Sequence, residues 1–258
     1  MQEETINLLW TGGWDSTYRL AQLSRGRYKI QPYYVVNEKR KSLKEERKAI
    51  KEIYDLLKQK EETKAELLPI IEINRGDYEV PIELKKAYRE VLKKAKMGPQ
   101  YEWLATVSKH IPNLEMSLER SIEKPTSYDL YIRNANYKIL NEDDETRAAY
   151  KLTKNNDKAL YDLLGDFSFP VSVFTRSKMD FYEDFKRWGY LDIAKKTWFC
   201  SQPIDGEPCG YCAPCRNVMK QGLEFRMPES SKKRYHNRIY WLIKYKIKKT
   251  FLQIIGKW

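Results

Sequence analysis

Four cysteines, Cys200, Cys209, Cys212 and Cys215, fall within sixteen residues, and the chain has no others. Any fold for this sequence must bring the turns that carry them to one point, since each Cys-x-x-Cys spacing places two sulfurs on a tight turn. Gly210 and Pro214 supply the turn residues. Four thiolates in a C-x8-C-x2-C-x2-C array satisfy tetrahedral zinc and leave no position open for water, so zinc here would be structural. An iron–sulfur cluster fits the same ligands, and a redox-active Cys-x-x-Cys pair is a third reading. Disulfides are disfavoured, because the chain reads as cytoplasmic. Met1-Gln2-Glu3-Glu4 lacks a signal peptide's apolar core, and no stretch is long enough to cross a bilayer.

The second constraint lies at the other end, in Leu8-Leu9-Trp10-Thr11-Gly12-Gly13-Trp14-Asp15-Ser16-Thr17. The apolar run Ile6 to Trp10 reads as a buried strand, and Tyr18, Leu20, Ala21 and Leu23 continue as a helix. A strand feeding a glycine turn at a helix N-terminus makes an anion site: Gly12 and Gly13 let backbone N–H groups approach a phosphate, and the helix dipole favours negative charge. Thr11, Ser16 and Thr17 add hydroxyl donors, and Asp15 is of the type that holds magnesium. No Gly-Lys-Ser/Thr follows, so this is not a Walker loop. An ordinary strand–turn–helix connection would look similar.

This loop resembles the SGGxDS pyrophosphate loop of the PP-loop ATP pyrophosphatases, with Thr11 in place of the first serine. Together with the cysteine spacing, it is similar to the 7-cyano-7-deazaguanine synthases of that superfamily. Thr197-Trp198-Phe199-Cys200 matches their threonine–tryptophan–serine–cysteine run except at Phe199. The likeness covers about residues 6–57 and 167–216. It implies a ligase that uses ATP and Mg2+, with Zn2+ on the four cysteines. That ligase adenylates 7-carboxy-7-deazaguanine or a related acid, joins ammonia as an amide and dehydrates it to a nitrile. It further implies nucleotide contacts from Thr11, Gly12, Gly13, Trp14, Asp15, Ser16 and Thr17 and from Val36 at the end of the second strand, with Asp15, Ser16 and Lys178 acting in catalysis. Lys178 or Arg176 would neutralise the α phosphate, or else each is a solvated surface cation. The family's proline–x–arginine–asparagine signature is missing: Met97-Gly98-Pro99-Gln100-Tyr101-Glu102-Trp103-Leu104 stands there. A different acid substrate, a tRNA-modifying relative and a non-catalytic nucleotide- and zinc-binding protein therefore stay open. Oligomers occur in that family, and nothing in these residues specifies one.

Between the two motifs, strands alternate with helices. Ile30 to Val36 reads as a strand and Leu43 to Lys58 as an amphipathic helix. Leu67 to Ile73 reads as a third strand, Pro81 to about Lys96 as a helix and Tyr101 to His110 as another. The pattern predicts an α/β fold of Rossmann-like, doubly wound type, with a mostly parallel sheet, helices on both faces and the site at the carboxyl ends of the strands. Asn113 to Leu118 reads as a short strand, and Lys124 to Asp157 as an insertion or flexible cover. Phe167 to Val173 reads as a strand and Ser177 to Trp188 as a helix. His110 and His236 are isolated.

We divide the 258 residues into 1–228, containing the zinc segment 197–216, and a tail, 229–258. The formal net charge of +12 calls for an anionic partner. No acidic residue follows Glu229, while Lys232, Lys233, Arg234, Arg238, Lys244, Lys246, Lys248, Lys249 and Lys257 do. On a helix, Ile239, Leu242, Ile243, Ile247, Phe251, Ile254, Ile255 and Trp258 form an apolar stripe. Such a tail anchors at an anionic membrane surface, peripherally on its inner face, or binds RNA, or docks on its own domain with lysines in water.

Overall fold

The computed structural model describes residues 5–120 and 125–254. The buried run β1 (Ile6–Leu9) passes through the glycine turn into α1 (Trp14–Ser24). β2 (Lys29–Val36) returns parallel to β1, Ile6 opposite Ile30 and Leu9 opposite Tyr33. In α2 (Leu43–Gln59), Ala49, Ile50, Ile53 and Leu57 are buried at helical spacing and cover the sheet. The expected strand Leu67–Ile73 is broken into β3 (Glu66–Leu67) and β4 (Ile71–Asn74), both parallel to β2. Pro69 lies in the gap, where its ring leaves no N–H for a ladder, and its carbonyl accepts from the Gln31 side chain at 2.7 Å.

Helices α3 (Ile82–Lys94) and α4 (Gln100–Ser108) follow. Next come α5 (Ser127–Arg133), β5 (Tyr137–Leu140), β6 (Ala149–Leu152), α6 (Lys158–Leu164), β7 (Phe169–Pro170) and α7 (Val171–Phe174). Within the stretch Lys124–Asp157, expected as an insertion or flexible cover, α5, β5 and β6 are ordered elements. β5, β6 and β7 form an antiparallel sheet that buries Leu152 and Phe169, and the Tyr137 and Phe174 rings meet at 5.5 Å. The expected strands at Asn113–Leu118 and Phe167–Val173 are also corrected. The first reduces to one bridging residue, Glu115, between Leu8 and Ser168, and the second is shortened to Ser168 and β7, because Val171 to Phe174 turn helical. The chain ends in α8 (Lys178–Arg187), α9 (Leu191–Lys196), α10 (Ala213–Lys220), α11 (Glu229–His236) and α12 (Arg238–Ile254).

Alternation along the strands divides the interior. Leu8, Ile30, Tyr34 and Val36 join a core with residues of α1, α2, α8 and α9, whereas Leu9, Val35 and Ile73 join another with residues of α3, α4 and α6. The fold is therefore α/β, with a mostly parallel sheet between two apolar clusters. Arg19 of α1 ties it together. Its guanidinium binds both oxygens of Glu115 at 2.8 Å and the Thr146 carbonyl at 2.6 Å, with Arg19 fully buried. The proposed boundary at 228/229 is crossed by close packing, since Ser231 and Arg234 of α11 donate to the Pro208 carbonyl. Among the described residues, no helix is long and apolar enough to cross a membrane.

Candidate functional site

The turn after β1 depends on Gly12. Its φ of +66° is left-handed, and a β-carbon there would meet Ile50 Cγ1 at 2.8 Å. Gly13 caps α1, and the first helical N–H bond runs from Thr17 to the Gly13 carbonyl at 3.0 Å. The N–H groups of Trp14, Asp15 and Ser16 are therefore open first-turn donors. Ser16 braces the turn, its hydroxyl accepting from the Thr11 N–H at 3.2 Å and lying 3.3 Å from the Thr11 hydroxyl.

Asp15 is the unusual group. Its Oδ1 is buried with no hydrogen-bond partner. Burial pushes its carboxyl up to about 6, with Lys178 and Arg226 pulling the other way and Glu119 adding to the rise. Lys178 is mostly buried and donates to Glu119 at 2.9 Å. Desolvation works against its charge, but Asp15 and Glu119 together hold its ammonium above the ordinary lysine range. The expected pair Asp15 and Lys178 is thus brought together, with Glu119 as an added partner.

Arg226 completes the cluster and was not expected from the sequence. It is 8% exposed, its Nε has no partner, and desolvation lowers its guanidinium to about 9. Its Cζ lies 4.7 Å from the centroid of the Trp14 ring and 4.6 Å from that of the Phe199 ring, one on the glycine turn and the other beside Cys200. The setting Leu223-Glu224-Phe225-Arg226-Met227, a cation among apolar residues, is the signal that could have marked it. Tyr101 of α4 is the other addition. It is buried, its hydroxyl is pushed up to about 12 by desolvation, and it feels the Asp15 charge. Beside it, at 5.1 Å between rings, the Tyr128 hydroxyl is buried and unpaired.

Other expected contacts are differently placed. The Thr17 hydroxyl is buried and accepts from the Trp10 indole at 3.0 Å, so it faces the core rather than the turn. The Trp14 ring packs on Phe185 at 5.2 Å, and the Val36 side chain is buried in the same core. Neither side chain is open to a ligand. Arg176 is committed elsewhere, to Asp184 at 2.7 Å and the Tyr18 hydroxyl at 2.6 Å. A cleft of about 470 Å3 also lies away from the turn, at the C-terminal end of α1 among Gln22, Arg25, Ser172 and Trp188.

The four cysteines converge as their spacing requires. All are buried, and their sulfurs lie within 4.8 Å of one another. The pairs Cys200–Cys212, Cys209–Cys215 and Cys212–Cys215 are separated by 3.9, 3.8 and 3.4 Å. A zinc–sulfur bond near 2.3 Å gives a tetrahedral edge of about 3.8 Å, close to these separations, so the cluster could hold a metal of that size. The N–H groups of Gln202 and Cys209 donate to Cys200 Sγ at 3.3 and 3.2 Å, and that of Cys212 to Cys209 Sγ at 3.3 Å. Such bonds favour thiolates over thiols. Hydrogen bonding among the four sulfurs pulls Cys209 and Cys212 below the usual thiol range and pushes Cys200 and Cys215 above it. Gly210, at φ +83°, is needed because α11 crosses it closely, the Ser231 carbonyl lying 2.3 Å from where a β-carbon would be.

The arrangement can hold a metal on sulfur. Beside it stands the glycine turn, with one unpaired carboxylate oxygen and two buried cations. Compared with models of protein families and with curated protein sequences, the chain finds no match.

Proposed function

We propose that the chain is an ATP-dependent ligase of the 7-cyano-7-deazaguanine synthase type, acting on that family's acid or on a diverged one. The observation that carries this reading is the buried, unpaired Asp15 Oδ1, flanked by Lys178 and Arg226 at the open first turn of α1. An unpaired buried carboxylate is costly in a resting fold and is the ligand type that a magnesium–nucleotide complex requires. The reading includes a Rossmann-like, doubly wound sheet, in which such a turn falls at the carboxyl ends of the strands. It also includes a cytoplasmic setting and a structural Zn2+ on Cys200, Cys209, Cys212 and Cys215.

Asp15 would hold Mg2+, which offsets charge on the leaving pyrophosphate. The open N–H groups of Trp14, Asp15 and Ser16 would receive the phosphates, and Lys178 and Arg226 would face the α phosphate. The substrate carboxylate attacks the α phosphorus as the α–β P–O bond breaks, giving an acyl-adenylate and pyrophosphate. Ammonia then displaces AMP from the acyl carbon and loses a proton, leaving the amide. A second adenylation, on the amide oxygen, allows loss of AMP and a proton to give the nitrile. Tyr101 stands in the segment where the family's arginine–asparagine signature is missing, with Tyr128 of α5 packed against it, which favours a changed acid pocket.

The test is pyrophosphate release from ATP and Mg2+ with and without 7-carboxy-7-deazaguanine and ammonium, with product followed by mass spectrometry. Acid-dependent release and nitrile formation support the reading. Bound ATP without release across a panel of aryl and heteroaryl carboxylates overturns it.

A further inference from the structure

Helix α12 presents two unlike faces. At 3.6 residues per turn, Trp241, Leu242 and Tyr245 fall on one side, and all three are partly buried against the core that contains the cysteines. The Trp241 ring lies parallel to that of Tyr211 at 6.3 Å, which pins the helix to the metal-binding segment. Ile239, Ile243 and Ile247 recur at every fourth position on the opposite side. They are 71%, 54% and 65% exposed, and Tyr240 beside them is 60% exposed. The stripe expected from the sequence is therefore split, Leu242 turning inward while the isoleucines stay outside. Ile255 and Trp258 lie outside the described residues.

A row of exposed β-branched aliphatics on a helix held by its other face is a surface built to be covered. At helical spacing the positions of Lys244 and Lys246 flank this row on either side, and no acidic residue follows Glu229. We propose that this face lies on an anionic lipid surface, with α12 in the interfacial plane and its isoleucines among the upper acyl chains. Charge selects the occupant. A second copy would bring the Lys244 and Lys246 positions of both chains together, and like charges in apposition oppose docking. Single-stranded RNA is read by stacking on aromatic rings, but Trp241 and Tyr245 are turned to the protein and the outer row is aliphatic apart from Tyr240. Anionic headgroups match the lysines, and acyl chains match the isoleucines. The inference stands apart from the nucleotide reading, since none of these residues belongs to the Asp15 cluster.

The experiment is flotation of the full-length protein with vesicles of phosphatidylcholine alone, and of phosphatidylcholine containing phosphatidylglycerol. We expect binding to the second only, weakening as salt rises. The double variant Ile243→Glu with Ile247→Glu should lose at least about tenfold in vesicle affinity, given two buried side chains replaced by charges. Its metal content and melting temperature should match the parent's, showing that the docked face is intact. Three results overturn the proposal: no binding to anionic vesicles, equal binding by the double variant, or a concentration-dependent dimer that the double variant abolishes. RNA binding without vesicle binding also overturns it.

Discussion

The backbone N–H of Trp198 donates to the carbonyl of Gly12 at 2.9 Å. The segment leading into the cysteines is thereby fastened to the turn after β1, and Arg226 stacks between Trp14 and Phe199 across the same seam. The cysteine cluster and the glycine turn thus share one hydrogen-bonded seam.

Metal removal should therefore reach further than the cysteines. Purified protein is expected to carry about one zinc per chain by plasma mass spectrometry, from the four-sulfur ligand set. Chelation, or Cys209→Ser, should lower the melting temperature and weaken ATP binding in a calorimetric titration. Loss of metal with undiminished ATP affinity would disconnect the two sites.

Asp15→Asn should stabilise the resting protein while removing magnesium-dependent nucleotide binding. The folded carboxyl titrates near 6 against 3.8 for the free group. The folded state thus binds its proton more tightly than the unfolded one. The associated stability is present below about pH 4 and is lost as pH rises through about 6. At pH 7.5 the asparagine variant should gain roughly 2–3 kcal/mol by chemical denaturation, and little at pH 4. Equal gains at both pH values would place the effect elsewhere.

Arg226→Lys should fail to restore what Arg226→Met removes. A lysine keeps charge but lacks the plane that lies between the Trp14 and Phe199 rings. Both variants should weaken ATP binding at least about tenfold, a loss of 1.4 kcal/mol. Full binding by the methionine variant would remove Arg226 from the site.

Glu115→Gln should destabilise the fold by about 3–5 kcal/mol, because it leaves the Arg19 guanidinium buried without its counter-ion. Combining Arg19→Met with Glu115→Leu should recover much of that loss, as measured by urea unfolding. If the double variant is no more stable than Glu115→Gln, the pair does more than balance charge.

Gly12→Ala should cost about 1–2 kcal/mol from the left-handed backbone alone, with more from the approach to Ile50. Urea unfolding measures this directly.

The elements from β1 to α2 were legible because each follows a local rule: a glycine turn, a helical apolar stripe, a β-branched run. The cysteine centre was legible from spacing alone. The break at Pro69 was missed because apolar residues continue on both sides of it. Strands β5 and β6 were missed because they carry lysines and tyrosines and do not alternate cleanly between buried and exposed. Arg19, Glu119 and Arg226 look like any other charges in a chain rich in them, and only tertiary packing singles them out. Arg176 shows the converse, a cation near the expected site whose neighbour Asp184 had already claimed it.

The stacking of Arg226 between two distant segments bears on how the protein is made. Synthesis runs from the N-terminus, so β1 and its turn emerge early, while Phe199, the cysteines and Arg226 leave the ribosome near the end. The turn is born without its cation, and the Asp15 carboxyl without one of the charges that lower it. A chain cut short before residue 199 would leave the glycine turn without Phe199, Arg226 and the cysteines, so the last part of the chain to be made is the part that closes over the first.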